Sequence, residues 1–489
     1  SGEYRQTVTG GTVVVRITTP HLVCADGVRL QSDSVRFFEA TSYYQFFGNV
    51  FFQDTIQTLR SRDAQLDRRQ GLLQAQGDVR LEREDGSRIM GESLVHEQLR
   101  GDRTERLTVQ GGQPNAILYP RRAEGGEGAG APPPADSAVT PYDITASSRI
   151  VIEGQTRFRA VGDVVIVRGA LTAFGDEADL DQDEGVLNLL GSRQRVARMT
   201  GDQYDLEGEH IRAVILLDVV RQVVARRRAR LIGSDLVMRA PLITLDMTDG
   251  VLERLHAQPD DRAAPPADDG AELAPVGPAI FTVAHPPRPV AVAEDFQLVG
   301  DEIEVAAPGG VLDSLVATGN ARGESLSRDS LNSEDTPEIA RRDWMEGRTL
   351  TARFTRVEVP DTAAGAAPDS VRQEYRLERL TAETEARSLY RMLPMDTLAA
   401  PVELPDSATV ADSVTAEREG VPTDSIAPEP RDRRLALHYV TGSRITLILE
   451  GGEVRRMEVE GPTRGVHFEP RLRRGGVGQS PPPGGKETP

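Results

Sequence analysis

Lysine is almost missing from this sequence: Lys486 is the single example among 57 basic residues, and the others are arginines. A base-composition bias accounts for that choice, although arginine forks also suit bidentate phosphate contacts. Cysteine is as scarce. Cys24 stands alone, so no intramolecular disulfide can form, and a fold of this size does not need one. It is expected to fill a gap in a core. No run approaches the ~20 apolar residues of a membrane helix; the best, AVILLDVV from Ala213, is broken at Asp218. Nor does the opening SGEYRQTVTGG combine a charged n-region with an apolar h-region. It reads as a mature, processed or trimmed end, and Cys24 lies too far from it to carry a lipid.

The signatures of catalysis are missing too. The seven histidines stand far apart without the spacing of a zinc site. There is no G-x-S-x-G elbow and no P-loop. The run GGEGAG at Gly125 neither follows an apolar strand nor opens a helix, so it reads as spacer. The acidic pairs Asp260–Asp261 and Asp268–Asp269 sit in linker composition, where solvated charge is the ordinary explanation. The expectation is a non-enzyme with no metal and no cofactor, in which Trp344 serves as a core or rim aromatic. Positive charge is in deficit as well: 57 basic against 76 acidic residues leave a net charge of −19, which argues against a nucleic-acid partner.

What is abundant is punctuation. The 46 glycines and 32 prolines favour turns and linkers over long helices. At 489 residues the chain exceeds what one core usually serves, which predicts several modules or one repetitive array. Segments 123–141 and 260–290 are Pro/Ala/Gly/acid mixtures that bury too little apolar surface to offset ordering. An acidic, Pro-rich stretch spans 396–434, and a polar tail spans 471–489. These divide the chain into modules at 1–122, 142–259, 291–395 and 435–470.

Between these segments the chain repeats itself. One cassette reads apolar, two spacers, then Leu-x-Ala-x-Gly-x-Ala/Val, as in Leu312, Leu315, Ala317, Gly319 and Ala321. Other copies start at Leu377, Val454, Leu252 and Thr104, and a shifted one runs Leu73, Ala75, Gly77, Val79, Leu81. A second piece precedes them: Gly, a polar residue, then alternating apolar positions, as in GDEIEVA at Gly300 and GSRITLIL at Gly442. Turns such as PGG at Pro308 and DG at Asp249 join the two. Steps of two put the apolar residues on one face of a strand and would scatter them around a helix. The expected fold is all-β: repeated antiparallel strands in an elongated jellyroll or V-shaped folded sheet. RQVVARRRAR from Arg221 invites a helix, yet the repeat makes strand at least as good a reading. Successive small inward residues have two explanations. Either the sheet pinches there, or the space belongs to a guest.

The run from Phe46 to Leu94 resembles the OstA-like/LptA family of lipopolysaccharide transport proteins. A GNV or GDV strand, an LRAD-like strand, a D-x-x-x-G turn and an AxGxV strand can be read at Gly48–Val50, Leu59–Asp63, Asp67–Gly71 and Ala75–Val79. Repetition to Gly461 extends the resemblance over most of the non-linker chain, which is long for that family's single-domain bridge and lacks a C-terminal barrel. The resemblance implies a periplasmic protein, associated with the outer membrane, that stacks edge to edge with similar β-jellyroll proteins. It also implies that acyl chains of lipopolysaccharide or a similar lipid lie in an apolar trough. By the period of two, the trough would be lined by Val50 and Phe52, then Leu59, Ala64 and Leu66, then Leu73, Ala75, Val79 and Leu81. Leu315, Ala317, Ala321, Met457 and Val459 would be the downstream equivalents. Core packing explains each of them singly just as well. The competing readings are a self-packed β-solenoid scaffold binding protein or polysaccharide, and a glycan-cleaving enzyme with two carboxylates on one strand face.

Overall fold

The period of two is realised as a single ladder of 31 strands, every described pairing antiparallel. The computed structural model describes residues 3–9, 12–23, 27–98, 104–120, 140–154, 156–216, 219–233, 236–260, 288–293, 295–326, 336–360, 371–392, 436–450 and 453–468. Cys24 and nearly all of the four expected linker and tail segments lie outside these residues. The all-β expectation holds, with two short 3-10 turns, Pro308–Gly310 and Glu338–Ala340, as the helical elements among the described residues. RQVVARRRAR falls inside the strand Val219–Ile232.

Each long strand is folded across its middle. In Tyr43–Gln53, residues 43–47 pair with 63–67 and residues 50–53 pair with 58–61, with a register break between Phe47 and Val50. The same break recurs at Val161/Val164, Arg226/Ala229, Thr318/Ala321 and Glu383/Ala386. Two residues take left-handed backbone at each break: Gly48 and Asn49, Gly77 and Asp78, Gly162 and Asp163, Gly319 and Asn320. Glycine has no Cβ to clash, and Asn and Asp tolerate this region through local hydrogen bonds. The GNV and GDV motifs are therefore corners. Neighbouring rungs secure them: Asp33 N–H donates to the Gly48 carbonyl at 2.9 Å and Ser147 N–H to the Gly162 carbonyl at 2.7 Å.

The corners form a spine, and the sheet bends along it into two arms. Leu315 and Ala317 lie on the first arm, Gly319 at the bend, and Ala321 on the second arm. The four positions thus share one interior but two walls, where the period alone places them on one flat face. The interior is one continuous apolar cluster. Contact across it is close at Gly323 of the second arm, where an added Cβ would meet Leu350 of the first at 3.0 Å. The pairing runs on across the expected linkers: Asn115–Leu118 pairs with Tyr142–Thr145, residues 236–239 pair with 290–293, and residues 379–383 pair with 444–448. Outward faces carry charge ladders such as Arg157–Asp181 at 3.0 Å and Arg159–Glu177 at 2.9 Å. Solvent-screened pairs of this kind add little stability, so the ladders solubilise the faces while burial holds the arms together.

Candidate functional site

Register gathers the inward side chains into columns. On the first arm, nearest the spine, Phe46, Ala64, Ala75, Leu94 and Val109 follow one another across adjacent strands. Far along the same column come Ile303, Ala317, Leu350, Ala382, Ile445 and Val459. One step outward lies a second column that includes Leu66, Leu73, Leu315, Leu447 and Met457. The second arm contributes Phe52, Leu59, Leu81 and Ile89. The expected trough residues are therefore register partners: Ala64 faces Ala75, Leu66 faces Leu73, and Leu59 joins Phe52 to Leu81. Val50 and Val79 open the second arm after their corners. At about 4.8 Å per strand, the interior from Tyr43–Gln53 to Glu453–Glu460 runs for roughly 85 Å.

Exposure differs along these columns. Ala75, Leu315 and Ala317 are 0% exposed and Ala64 is 3% exposed. The small residues sit where the arms converge, and neighbouring side chains fill the space. Val50, Leu59, Leu73, Val79, Leu81 and Ala321 are buried as well. Phe52, Leu66, Met457 and Val459 are half-buried at the two ends of the array, alongside Ile17, Leu30, Tyr44, Leu449 and Val454. Polar side chains interrupt the columns, among them Ser61, His96 and Ser388. His96 is 4% exposed and bonds Glu105 at 2.6 Å; that hydrogen bond, assisted by the His96 and Arg83 charges, holds the Glu105 carboxyl below its ordinary value against the effect of burial. Ser388, facing Met345 and Val440, is buried with no hydrogen-bond partner for its hydroxyl among the described residues.

The interior opens between the arms at mid-length, in a cleft of about 450 Å³. Tyr204, Leu231 and Leu236 of the second arm face Leu252, Val305, Leu312 and Tyr375 of the first. Burial pushes the Tyr204 hydroxyl up to about 12. The turn at Gln203 closes over the cleft, its carboxamide lying where a Cβ on Gly310 would sit, 2.7–3.1 Å away. Sequence reasoning missed this mouth as a site. Its signal was the leading apolar position of the cassette: Leu252 and Leu312 line the mouth, and the equivalent Leu377 and Val454 are only partly buried against the core.

A larger cavity of about 760 Å³ lies along the spine and is lined by Arg288, Asp301, Arg322, Glu346 and other polar residues. Its charges are largely internally paired, Arg288 with Asp301 at 2.8 Å and Arg322 with Glu324 at 2.6 Å and with Glu346. Val299 and Ala321 are the apolar side chains in its lining, beside seven charged ones, so it suits a polar rather than an acyl occupant. Among the described residues no three His, Cys, Asp or Glu side chains come together as metal ligands, and no helix is long and apolar enough to cross a membrane. Trp344 is 6% exposed in a small separate cluster with Ala340 and Leu389, its indole donating to the Ile339 carbonyl at 3.0 Å.

The fold and mouth define a class: an antiparallel sheet folded lengthwise into two arms around an apolar interior. No protein-family model matches the sequence, and no curated protein matches it. Among solved structures the chain is similar to LptH, the LptA-homologous periplasmic component of the lipopolysaccharide transport device of Pseudomonas aeruginosa. That similarity has 15% identity and a TM-score of 0.24, and covers 29% of this chain and 93% of LptH.

Proposed function

We propose that this chain is a non-catalytic, periplasmic carrier that holds acyl chains of lipopolysaccharide or a similar lipid between its two arms and passes them toward the outer membrane. One observation carries the reading: a continuous, largely apolar interior reaches solvent through a mouth whose two walls carry Leu231 and Leu236 on one side and Leu252, Val305 and Leu312 on the other. A cleft of about 450 Å³ falls within the usual ~300–1,000 Å³ of small-molecule sites. Each methylene buried contributes ~0.8 kcal/mol, so a ten-carbon segment gains on the order of 8 kcal/mol gross. A guest displaces apolar contacts between the arms and replaces them in kind. The end strands, Tyr4–Thr9 at one end and Arg464–Phe468 at the other, each have a single partner among the described residues, and such open edges suit addition of a similar sheet.

The filled apex favours a second reading, a self-packed scaffold that binds protein or polysaccharide on its outer faces. Photo-crosslinking in living cells separates the two. A photoreactive residue at Leu312, Phe52 or Met457 is expected to give lipid adducts, and one at Arg159 on the outer face none. Folded protein with no adduct at any of the three inward positions refutes the carrier.

A further inference from the structure

Two bends depart from the Gly–Asn and Gly–Asp rule of the others. Thr384 and Glu385 hold the left-handed conformation at one, and Arg227 and Arg228 hold it at the other, with φ of 54° and 52°; only the second places two arginines there. The backbone task is unchanged, since Glu209 N–H donates to the Arg227 carbonyl at 2.9 Å as Asp33 does at Gly48. A long side chain at positive φ is strained, and such strain persists only where the surrounding structure over-determines it.

Charge adds a second unfavourable feature. Arg230 stands directly opposite Arg239, and His210 opposite Arg226; like charges in register destabilise a sheet. Arg226 pairs with Asp260 at 3.2 Å and Arg228 with Glu209 at 2.9 Å. Arg230 reaches Glu207 only at 3.7 Å, and its buried Nε has no hydrogen-bond partner among the described residues. Arg212 and Arg227 are exposed, and neither their side chains nor that of half-buried Arg239 have a hydrogen bond or ion pair among the described residues. The imidazole of His210 registers the surroundings: burial first, then Arg226, Arg212 and Arg227, hold it below its ordinary value. This concentration of positive charge lies on the outer face of a chain whose net charge is −19.

We infer that the Arg226–Arg230 bend is a binding site for a phosphate-bearing anion, held by guanidinium forks that suit phosphate geometry. The site lies outside the apolar interior and stands whether or not acyl chains are carried. The test uses the full chain with two probes: inorganic phosphate, followed by calorimetry, and phosphatidylcholine vesicles with or without phosphatidic acid, followed by flotation. Binding that weakens as salt is raised is expected. Competition by inorganic phosphate assigns recognition to the phosphate group alone, and vesicle binding that resists it assigns recognition to the lipid headgroup. Replacing the bend by the rule used elsewhere, Arg227→Gly with Arg228→Asn, is expected to lower affinity at least tenfold while raising the urea midpoint. Arg239→Gln is expected to weaken binding several-fold while the midpoint holds or rises, since it also relieves the opposition to Arg230. Undetectable binding by the parent chain, or unaltered affinity in both variants, overturns the site.

Discussion

Ala317→Leu asks whether the apex of the fold has room. Ala317 is 0% exposed and lies in register between Ile303 and Leu350. Its surroundings are tight: a Cβ added to Gly300 would come within 2.9 Å of the Ala317 side chain. Three additional carbons must displace the opposite arm, and overpacking of this kind costs ~1–3 kcal/mol. With a urea dependence of ~1–3 kcal/mol per molar, the unfolding midpoint should fall by about 1 M. Arrays of repeats unravel locally, so the reporter must be near. The sole tryptophan serves, because Trp344 pairs with Glu324 on the same strand as Ala317. Its fluorescence midpoint is the assay. A midpoint equal to the parent's would mean that the small residues leave real space, and the pinch explanation would be wrong.

Other expectations rest on separate features. Gly162→Ala places a Cβ at φ 88°, 2.6 Å from the Ser147 hydroxyl, whereas Gly250→Ala at φ 82° meets nothing within 4 Å. Both incur ~1–2 kcal/mol of left-handed strain, and urea titration should show the larger loss for Gly162→Ala. Tyr204 is pushed up to about 12 from 10.0. Its contribution to stability is complete below pH 10 and is lost as the pH rises through the folded value, because the unfolded chain ionises first. Tyr204→Phe should remove that alkaline slope from the urea midpoint. Ser388→Ala relieves a buried hydroxyl without a partner, a defect of ~1–3 kcal/mol; the Trp344 midpoint should hold or rise, and a fall would mean that the hydroxyl is bonded after all.

The strands were legible because period two survives every repeat, and Leu73, Ala75, Val79 and Leu81 alternate as cleanly in sequence as in the ladder. The bends were legible only as a motif. Gly-Asn-Val and Gly-Asp-Val stand out as letters, but their left-handed pairs, and the transfer from one arm to the other, depend on neighbours such as Asp33 and Ser147 that are remote in sequence. Arg227–Arg228 and Thr384–Glu385 hold the same conformation with other letters, which no pattern search on glycine finds. The mouth was hidden for a related reason. Leu312 and Tyr204 meet only because two arms converge, and alternation alone cannot distinguish a packed inward position from one at the lip.

The central claim is that the arms part to admit an acyl chain. Spin labels at Asp202→Cys on the second arm and Asp249→Cys on the first, with Cys24 replaced by Ser, allow the distance across the mouth to be measured by pulsed electron resonance. Addition of an acylated lipid at saturation should lengthen that distance, while the same headgroup without acyl chains should leave it alone. An identical distance with bound lipid and without would contradict the account.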